Sequence, residues 1–251
     1  MCIRDSYYWV LNHTSKGFIK QAESEVAVKP DSAFPLAHVV ILLCLIDNHA
    51  EWSHVFLARV VKKCPYVLAV FLQRTSSSQS DDEWYKELGW KIVNGVRESK
   101  EVYAERMQGI FALYAACLQT TPDLQSLGQK GAEMNENTMA GLICKELRPN
   151  RLWVWLARMT NTTPRDMTPV LVTTFLEIAG DRFIQMYGRQ STKILEAIKQ
   201  ATTGGGSSGS IDFPKGTVGG PAFVRLTILL DDWEKSGRRQ LNQITGRTYL
   251  P

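Results

Sequence analysis

Apolar residues recur at helical spacing along most of the chain. The clearest stretch begins at residue 102, where apolar side chains lie three or four positions apart and so fall on one side of a helix. Its members are Met107, Ile110, Phe111, Tyr114, Cys117 and Leu118. Pro122 ends the stretch, because proline lacks the amide hydrogen that a helix interior requires. The pattern predicts an amphipathic helix with a buried face.

Similar patterns predict further helices. They cover residues 34–46, 50–63, 151–160, 163–180, 181–199 and 221–237. Pro65 disfavours helical geometry at Cys64 and therefore ends the second of them. Thr163 is the expected cap of the fourth, with Pro164 in its first helical position. Gly180 is expected to end that helix.

Other local signals refine this prediction. Asn48 is a candidate C-terminal cap for the helix over residues 34–46, and Gly237 is expected to end the last helix. Residues 151–160 are apolar nearly all round, so this helix is predicted to lie deep in the core. Residues 66–71 form a short apolar run that is too isolated to build a sheet.

The number of helices decides the fold class. Eight to ten helices in antiparallel succession are too many for one four-helix bundle. They fit an all-α fold, an irregular helical solenoid that resembles HEAT repeats, although no repeat of fixed length is visible.

Changes in composition divide the chain. Residues 1–16 are expected to be a leader or the truncated start of a domain, because the opening residues join no periodic pattern. Residues 17–237 are predicted to form the helical domain, and residues 238–251 a tail. Residues 202–220 are rich in Gly and Ser and are expected to be an inserted flexible loop. About 30 residues follow this loop, too few for a separate core, so the last helix is expected to dock on the body.

Composition excludes several classes of protein. Of the 251 residues, 44% are hydrophobic and 22% charged, as in an ordinary globular protein. The net charge of +4 is smaller than that of a chain that coats nucleic acid, so no direct sequence-specific nucleic-acid contact is expected. No apolar run reaches the ~18 residues that span a bilayer. The five cysteines are widely spaced, which favours reduced core residues over disulfides or a zinc site.

No pattern typical of catalysis is present. The nucleophile-elbow, P-loop and dinucleotide-binding glycine patterns are absent. Four histidines, His13, His38, His49 and His54, lack metal-ligand spacing. The acidic run at residues 81–83 is explained as the start of a helix, where carboxylates favour the helix dipole. The sequence therefore predicts no catalytic residue, no metal site and no enzyme.

One basic cluster has informative spacing. Arg59, Lys62 and Lys63 lie at positions i, i+3 and i+4 of a predicted helix and so share one face. They also lie at the helix C-terminus, where the dipole favours cations, so a solvated basic helix end is one interpretation. The other is a pocket for a polyanion, whose phosphates would relieve the repulsion between the cations. Lys20 and Lys29, in the preceding segment, could close such a pocket.

An ordered set of short motifs resembles the Gle-one mRNA export family. The set extends over about residues 17–237, in the order of the family. Its elements are residues 20–23 (KQAE), 33–37 (AFPLA), 58–66 (ARVVKKCPY), 83–90 (EWYKELGW), 106–116 (RMQGIFALYAA), 155–157 (WLA) and 174–180 (TFLEIAG). Together they identify the chain as resembling the C-terminal domain of this family.

The resemblance implies a function without catalysis. Members of the family stimulate a DEAD-box RNA helicase at the cytoplasmic face of the nuclear pore complex, which promotes RNA release and poly(A) mRNA export. In fungal members, inositol hexakisphosphate bridges the two proteins. Arg59, Lys62 and Lys63 match the Arg-x-x-Lys-Lys triplet of the family's basic pocket, and Lys20 and Lys29 are carried over with it.

The resemblance also implies other partners. An FG-nucleoporin is expected near the C-terminal end of the domain, and translation initiation and termination factors are further expected partners. The localisation would be the nuclear pore, with nucleus and cytoplasm on either side. The long coiled coil that precedes this domain in the family is missing here, so the chain is expected to be a fragment.

Two alternatives stay open from the sequence. A HEAT-like scaffold of translation initiation also binds and activates a DEAD-box helicase, and it would act without the inositol ligand and bind RNA tightly. An enzyme would need a catalytic cluster assembled across several helices, and it would turn over ATP on its own.

Overall fold

A computed structural model describes residues 3–45, 51–74, 79–121, 143–203, 213 and 218–241. In this part of the chain lie nine α-helices: α1 (Ile3–Gln21), α2 (Ala33–Leu45), α3 (Glu51–Lys63), α4 (Asp81–Glu87), α5 (Lys100–Gln119), α6 (Arg151–Asn161), α7 (Thr168–Tyr187), α8 (Arg189–Thr203) and α9 (Gly219–Lys235). Short 3-10 helices cover Pro30–Ser32, Pro65–Leu68 and Lys145–Leu147, and a π-helical turn covers Ala22–Val26. The predicted all-α, HEAT-like class is confirmed.

Helix α5 lies at the centre of the fold. It begins at Ser99, whose hydroxyl accepts a hydrogen bond from the backbone N–H of Val102 at 3.3 Å. Its side chains from Met107 to Leu118, apart from Gln108, are buried on every side, because α7, α2 and the π-helical turn pack around it. The predicted extent of this helix is therefore close to the observed one, but more than one of its faces is buried.

The predicted boundary between the two helices at Gly180 is wrong. Helix α7 begins at Thr168, and the predicted cap residues Thr163 and Pro164 lie in the loop before it. It continues through Gly180, where a β-carbon would lie 2.6 Å from Cδ1 of Leu241, so this glycine permits a close approach. The break comes at Gly188, whose φ of 47° is in the left-handed region that favours glycine.

The structure contains a hairpin that the sequence analysis missed. Strands β1 (Ile92–Val93) and β2 (Val96–Arg97) pair antiparallel across Asn94 and Gly95, with φ of 52° and 74°. Asn-Gly after the apolar pair Ile92–Val93 and directly before Val96 is a strong signal for such a turn. The apolar run at residues 66–71 is not a strand, because it begins with the 3-10 helix Pro65–Leu68.

Helix α6 is amphipathic rather than buried all round. Leu152, Trp155, Leu156 and Met159 are buried, whereas Arg158 is exposed. The prediction that this helix lies deep in the core is wrong for one of its sides, where Trp153, Val154 and Ala157 are only half-buried.

At its start the predicted domain does not match the helices of the structure, whereas at its end the last helix docks as predicted. Helix α1 runs across the predicted boundary at residue 17, and Leu11 within it is buried, so the boundary does not coincide with the end of an element. Helix α9 docks on α7 as predicted, with the Thr173 hydroxyl donating to the Ala222 carbonyl at 3.0 Å. Within the predicted Gly/Ser loop, Phe213 is buried and most other positions lie outside the described residues, as does Asn48.

The described cysteines match the prediction for the core. Cys44, Cys64, Cys117 and Cys144 are free and buried. Burial raises the pKa of the Cys44 and Cys64 thiols to about 12, so both are protonated at neutral pH.

Candidate functional site

The basic cluster occupies the C-terminal half of α3. On one side of this helix Trp52, Phe56 and Val60 are buried. The three predicted cations lie beside that buried side: Lys62 is exposed, and Arg59 and Lys63 are half-buried. The helix ends where predicted, because Cys64 leaves helical geometry before Pro65, with φ of −139°. The structure thus brings Arg59, Lys62 and Lys63 onto one face, called here the basic face.

Helix α1 adjoins the basic face. Phe18 of α1 contacts the rings of Trp52 and Phe56, with centroid distances of 5.9 and 6.3 Å. The Arg59 guanidinium donates a hydrogen bond to Oδ1 of Asn12 on α1. Asn12 therefore orients Arg59, and the sequence analysis missed this role.

Helix α1 also presents lysines to solvent. Lys20, a predicted site residue, is exposed, and Lys16 lies four residues before it and is exposed as well. Residues at i and i+4 share a helix face, so the two ammonium groups are neighbours on α1. Lys16 could have been found from this spacing if residues 1–16 had not been set aside as a leader.

Lys29 lies on a different element. It is exposed and comes between the π-helical turn and the 3-10 helix Pro30–Ser32. Its backbone is fixed, since its N–H donates to the Glu25 carbonyl at 2.7 Å and its carbonyl accepts from the Ser32 hydroxyl at 2.7 Å.

Arg106 of α5 lies between the stretch that contains Lys20 and Lys29 and the end of α3 that contains Lys63. Its guanidinium donates to Glu23 in the π-helical turn at 3.1 Å, to the carbonyl of Gly89 at 2.7 Å, and to Glu98. Gly89 in turn lies against the end of α3, since a β-carbon there would come 2.5 Å from the Lys63 carbonyl oxygen. The buried Arg106 side chain thus contacts both Glu23, which lies between Lys20 and Lys29, and Gly89, which packs against the Lys63 carbonyl.

Arg106 stays charged despite its burial. Burial alone would lower the pKa of Arg106, but the hydrogen bonds and charges of Glu98 and Glu23 outweigh it and raise that pKa. Its side chain is 5% exposed, against 9% for Glu98 and 14% for Glu23. These three side chains form a largely buried ion network in which Arg106 holds both carboxylates by hydrogen bonds.

The predicted site cations have no carboxylate partner in the described part of the chain. Arg59, Lys62, Lys63, Lys20 and Lys29 form none of the ion pairs found there. A set of cations without such partners fits a site for an anion with several phosphates.

Metal and membrane sites are not found in the described ranges. No group of three His, Cys, Asp or Glu side chains there could hold a metal ion. No helix in that part is long and apolar enough to cross a membrane.

Comparison with known proteins identifies the family. A family model described as GLE1-like protein matches residues 4–199. The chain belongs to this family. It is 32% identical over 230 residues to the mRNA export factor gle1 of Schizosaccharomyces pombe. This match covers 91% of this chain and 42% of that protein. The match to GLE1 of Saccharomyces cerevisiae is 30% identical over 244 residues, covering 96% and 40%.

The chain spans less than half the length of these curated relatives. The match to Mus musculus GLE1 is 30% identical and covers 85% of this chain and 28% of that protein. These relatives are named as export factors, not as enzymes.

Solved structures of the family share the fold. Two of them are described as the C-terminal domain of S. cerevisiae Dbp5 bound to Gle1 and IP6. They match with TM-scores of 0.70 and 0.69 at 26% identity, covering 94% of this chain and 72% of the other. The resemblance to the Gle-one family is therefore confirmed, and none of these matches supports the translation-initiation alternative.

Proposed function

We propose that this domain acts in mRNA export by binding a DEAD-box RNA helicase, with inositol hexakisphosphate held at the basic face of α3. The observation that carries the proposal is the set of cations on α3 and the adjoining segment that form no ion pair with any carboxylate among the described residues. The relatives support it, since two solved Gle1 structures contain the Dbp5 C-terminal domain and IP6.

The residues present fit a polyphosphate. Lys62 and Lys20 are exposed ammonium groups, which bind phosphate as point charges from any direction. Arg59 is oriented by Asn12, so its planar guanidinium needs less ordering when it donates to a phosphate oxygen. Lys63 and Lys29 complete the set, and Lys16 on α1 joins it.

In this mechanism the anion joins two basic surfaces that otherwise repel each other. The domain would then stimulate the helicase by binding its RNA-releasing conformation more tightly than its RNA-bound one, because only such a difference shifts a conformational equilibrium. The expected place of action is the cytoplasmic face of the nuclear pore complex. An FG-nucleoporin near α8 and α9, and translation factors as further partners, belong to the same proposal.

Titration calorimetry with inositol hexakisphosphate tests the ligand site. The double substitution Lys62→Gln/Lys63→Gln is expected to weaken binding by at least about tenfold, since each charge-assisted hydrogen bond contributes roughly 1.5–3 kcal/mol. The control is Arg189→Gln/Lys193→Gln, which removes the same charge from exposed positions of α8. Equal weakening by both pairs would mean that only net charge matters and would contradict a defined site.

Helicase stimulation tests the partner. The domain with inositol hexakisphosphate is expected to raise the ATP turnover of a DEAD-box helicase, and the Lys62→Gln/Lys63→Gln variant to lose most of the ligand-dependent part. Stimulation that needs no ligand, together with tight RNA binding by the domain, would instead favour a translation scaffold. ATP turnover by the domain alone would contradict its assignment as a regulator.

A further inference from the structure

A cleft lined by aromatic side chains lies apart from the basic face. Its volume is about 520 Å³, and it opens between α4, the start of α5 and the loop before α7. The aromatic residues of its lining are Tyr66, Phe71, Trp84, Tyr85, Trp90 and Tyr103. This set is called here the aromatic cleft. A volume of this size is within the range of ligand sites and holds one or two large side chains.

The outer wall of the cleft is α4. Ser80 caps this helix: its hydroxyl accepts from the Glu83 N–H at 3.3 Å, and the Glu83 carboxylate accepts from the Ser80 N–H at 3.1 Å. No residue of α4 is buried, so Trp84 and Tyr85 line the cleft without belonging to the core.

The floor of the cleft is rigid. Trp90 stacks on Tyr103, with ring centroids 4.0 Å apart and planes 6° apart. The Tyr103 hydroxyl donates to the Leu88 carbonyl at 2.8 Å and lies 2.9 Å from the hydroxyl of Tyr66. Burial raises the pKa of Tyr66 to about 12, so this pair stays neutral. A ligand would therefore meet a preformed surface, which lowers the entropy cost of binding.

Cations surround the cleft. The Arg97 guanidinium lies 3.7 Å from the Tyr85 ring centroid, and that of Arg165 lies 5.6 Å from the Phe71 centroid. Lys100 also lines the cleft, and all three residues are exposed. None of them forms an ion pair with a carboxylate in the described ranges, and Asp166 is the sole acid of the lining. The lining residues together with Arg97 thus have a formal net charge of +2, and the acids of α4 (Asp81, Asp82, Glu83 and Glu87) lie outside the lining.

The ring geometry distinguishes between two kinds of acidic polymer. Single-stranded RNA binds by stacking bases on free aromatic faces. Here one face of Trp90 is covered by Tyr103, and one face each of Tyr85 and Phe71 by an arginine. In the T-shaped pairs Tyr85–Trp90 and Tyr66–Phe71 the edge of one ring meets a face of the other, so a further face in each pair is engaged. An apolar floor with these ring faces engaged and a cationic rim suits a peptide better than a nucleic acid.

The geometry points to a docking site for an acidic peptide segment of a partner protein, in which an aromatic side chain stands beside carboxylates. The aromatic side chain would fill the cleft, and the carboxylates would pair with Arg97, Lys100 and Arg165. This inference depends on residues other than those of the basic face, so it does not rest on the proposed helicase function.

Fluorescence anisotropy with three labelled peptides tests the inference on the whole chain. The first alternates Glu and Phe, the second has Lys in place of Glu, and the third has Ser in place of Phe. Only the first is expected to bind saturably. Substituting Lys100→Glu/Arg165→Glu is expected to weaken it by at least about tenfold, whereas the control Arg189→Glu/Lys193→Glu, with the same change of charge, leaves it within about twofold.

Four results would overturn the inference. Equal binding of the Lys–Phe or Glu–Ser peptide would show that the cleft selects neither charge nor aromatic content. Preferential binding of an oligouridine, lost in Lys100→Glu/Arg165→Glu, would make RNA the occupant. Self-association lost in the same variant would make a second copy the occupant. Binding of no probe would leave the cleft as ordinary surface. An unchanged circular dichroism spectrum is the check that the variant folds, and unchanged affinity for inositol hexakisphosphate would show that the two sites are separate.

Discussion

Substituting Arg106→Ala is expected to lower the free energy of unfolding by about 3–5 kcal/mol, because it leaves the largely buried Glu98 carboxylate without a counter-charge. In the described part of the chain Glu98 forms an ion pair with Arg106 alone, and its side chain is only 9% exposed. The substitution would remove that partner. The Gly89 carbonyl would lose its hydrogen bond from the guanidinium, and Glu23 would keep Lys91 alone, at 2.8 Å.

Urea unfolding followed by circular dichroism measures this effect. The control is Arg158→Ala on α6, an exposed arginine whose side chain has no partner in the described part of the chain. That substitution is expected to change the stability by no more than about 0.5 kcal/mol. A loss below about 1 kcal/mol for Arg106→Ala would mean that the network contributes no more than an exposed ion pair.

The Arg106 network also links stability to the proposed ligand site. Glu23 lies between Lys20 and Lys29 in the chain, and Gly89 supports the carbonyl of Lys63. Loss of the guanidinium would release both contacts at once. We therefore expect Arg106→Lys, which keeps the charge but not the planar fork, to retain part of the stability and to bind inositol hexakisphosphate less tightly.

Several helices could be predicted because their signals are local. Helices α2, α3 and α5 have apolar spacing that the chain shows within a few turns, and Pro65 marks the end of α3 by its own stereochemistry. The cationic triplet on α3 follows from helix geometry alone once that helix is assigned.

Other features could not be predicted because their causes are distant in sequence. Gly180 looks like a helix end, but it is a glycine because Leu241 packs against its backbone, and only the fold brings the two together. Arg59 takes its partner from 47 residues away and Arg106 takes Glu23 from 83 residues away. The Asn-Gly hairpin is different, since its signal was local and was overlooked.

The substitution of glycine by alanine is expected to have opposite effects at two helical positions. At Gly109 of α5, a β-carbon would lie 2.2 Å from the carbonyl oxygen of Ala22 and 2.8 Å from the backbone nitrogen of Ala27. Both neighbours are backbone atoms, which cannot move away as a flexible side chain would. Gly109→Ala is expected to destabilise the domain by about 2–3 kcal/mol, because overpacking outweighs the better helix propensity of alanine.

At Gly17 of α1 the same substitution meets no obstacle, since nothing lies within 4 Å of a β-carbon there. Gly17→Ala is expected to stabilise the domain by about 0.5–1 kcal/mol, as alanine restricts the unfolded chain and favours the helix. Urea unfolding of the two variants beside the unsubstituted protein measures the difference in sign. Stabilisation by both substitutions would show that the π-helical turn does not pack on Gly109 this closely.

The Gly109 contact also positions the proposed ligand site. Ala22 and Ala27 lie between Lys20 and Lys29, so displacing them from α5 moves these cations relative to Lys63. Gly109→Ala is therefore expected to weaken the binding of inositol hexakisphosphate under conditions where the variant is still folded, and Gly17→Ala to leave it unchanged. If Gly109→Ala loses stability but keeps full affinity, Lys20 and Lys29 contribute nothing to the site, and the basic face of α3 binds the ligand without them.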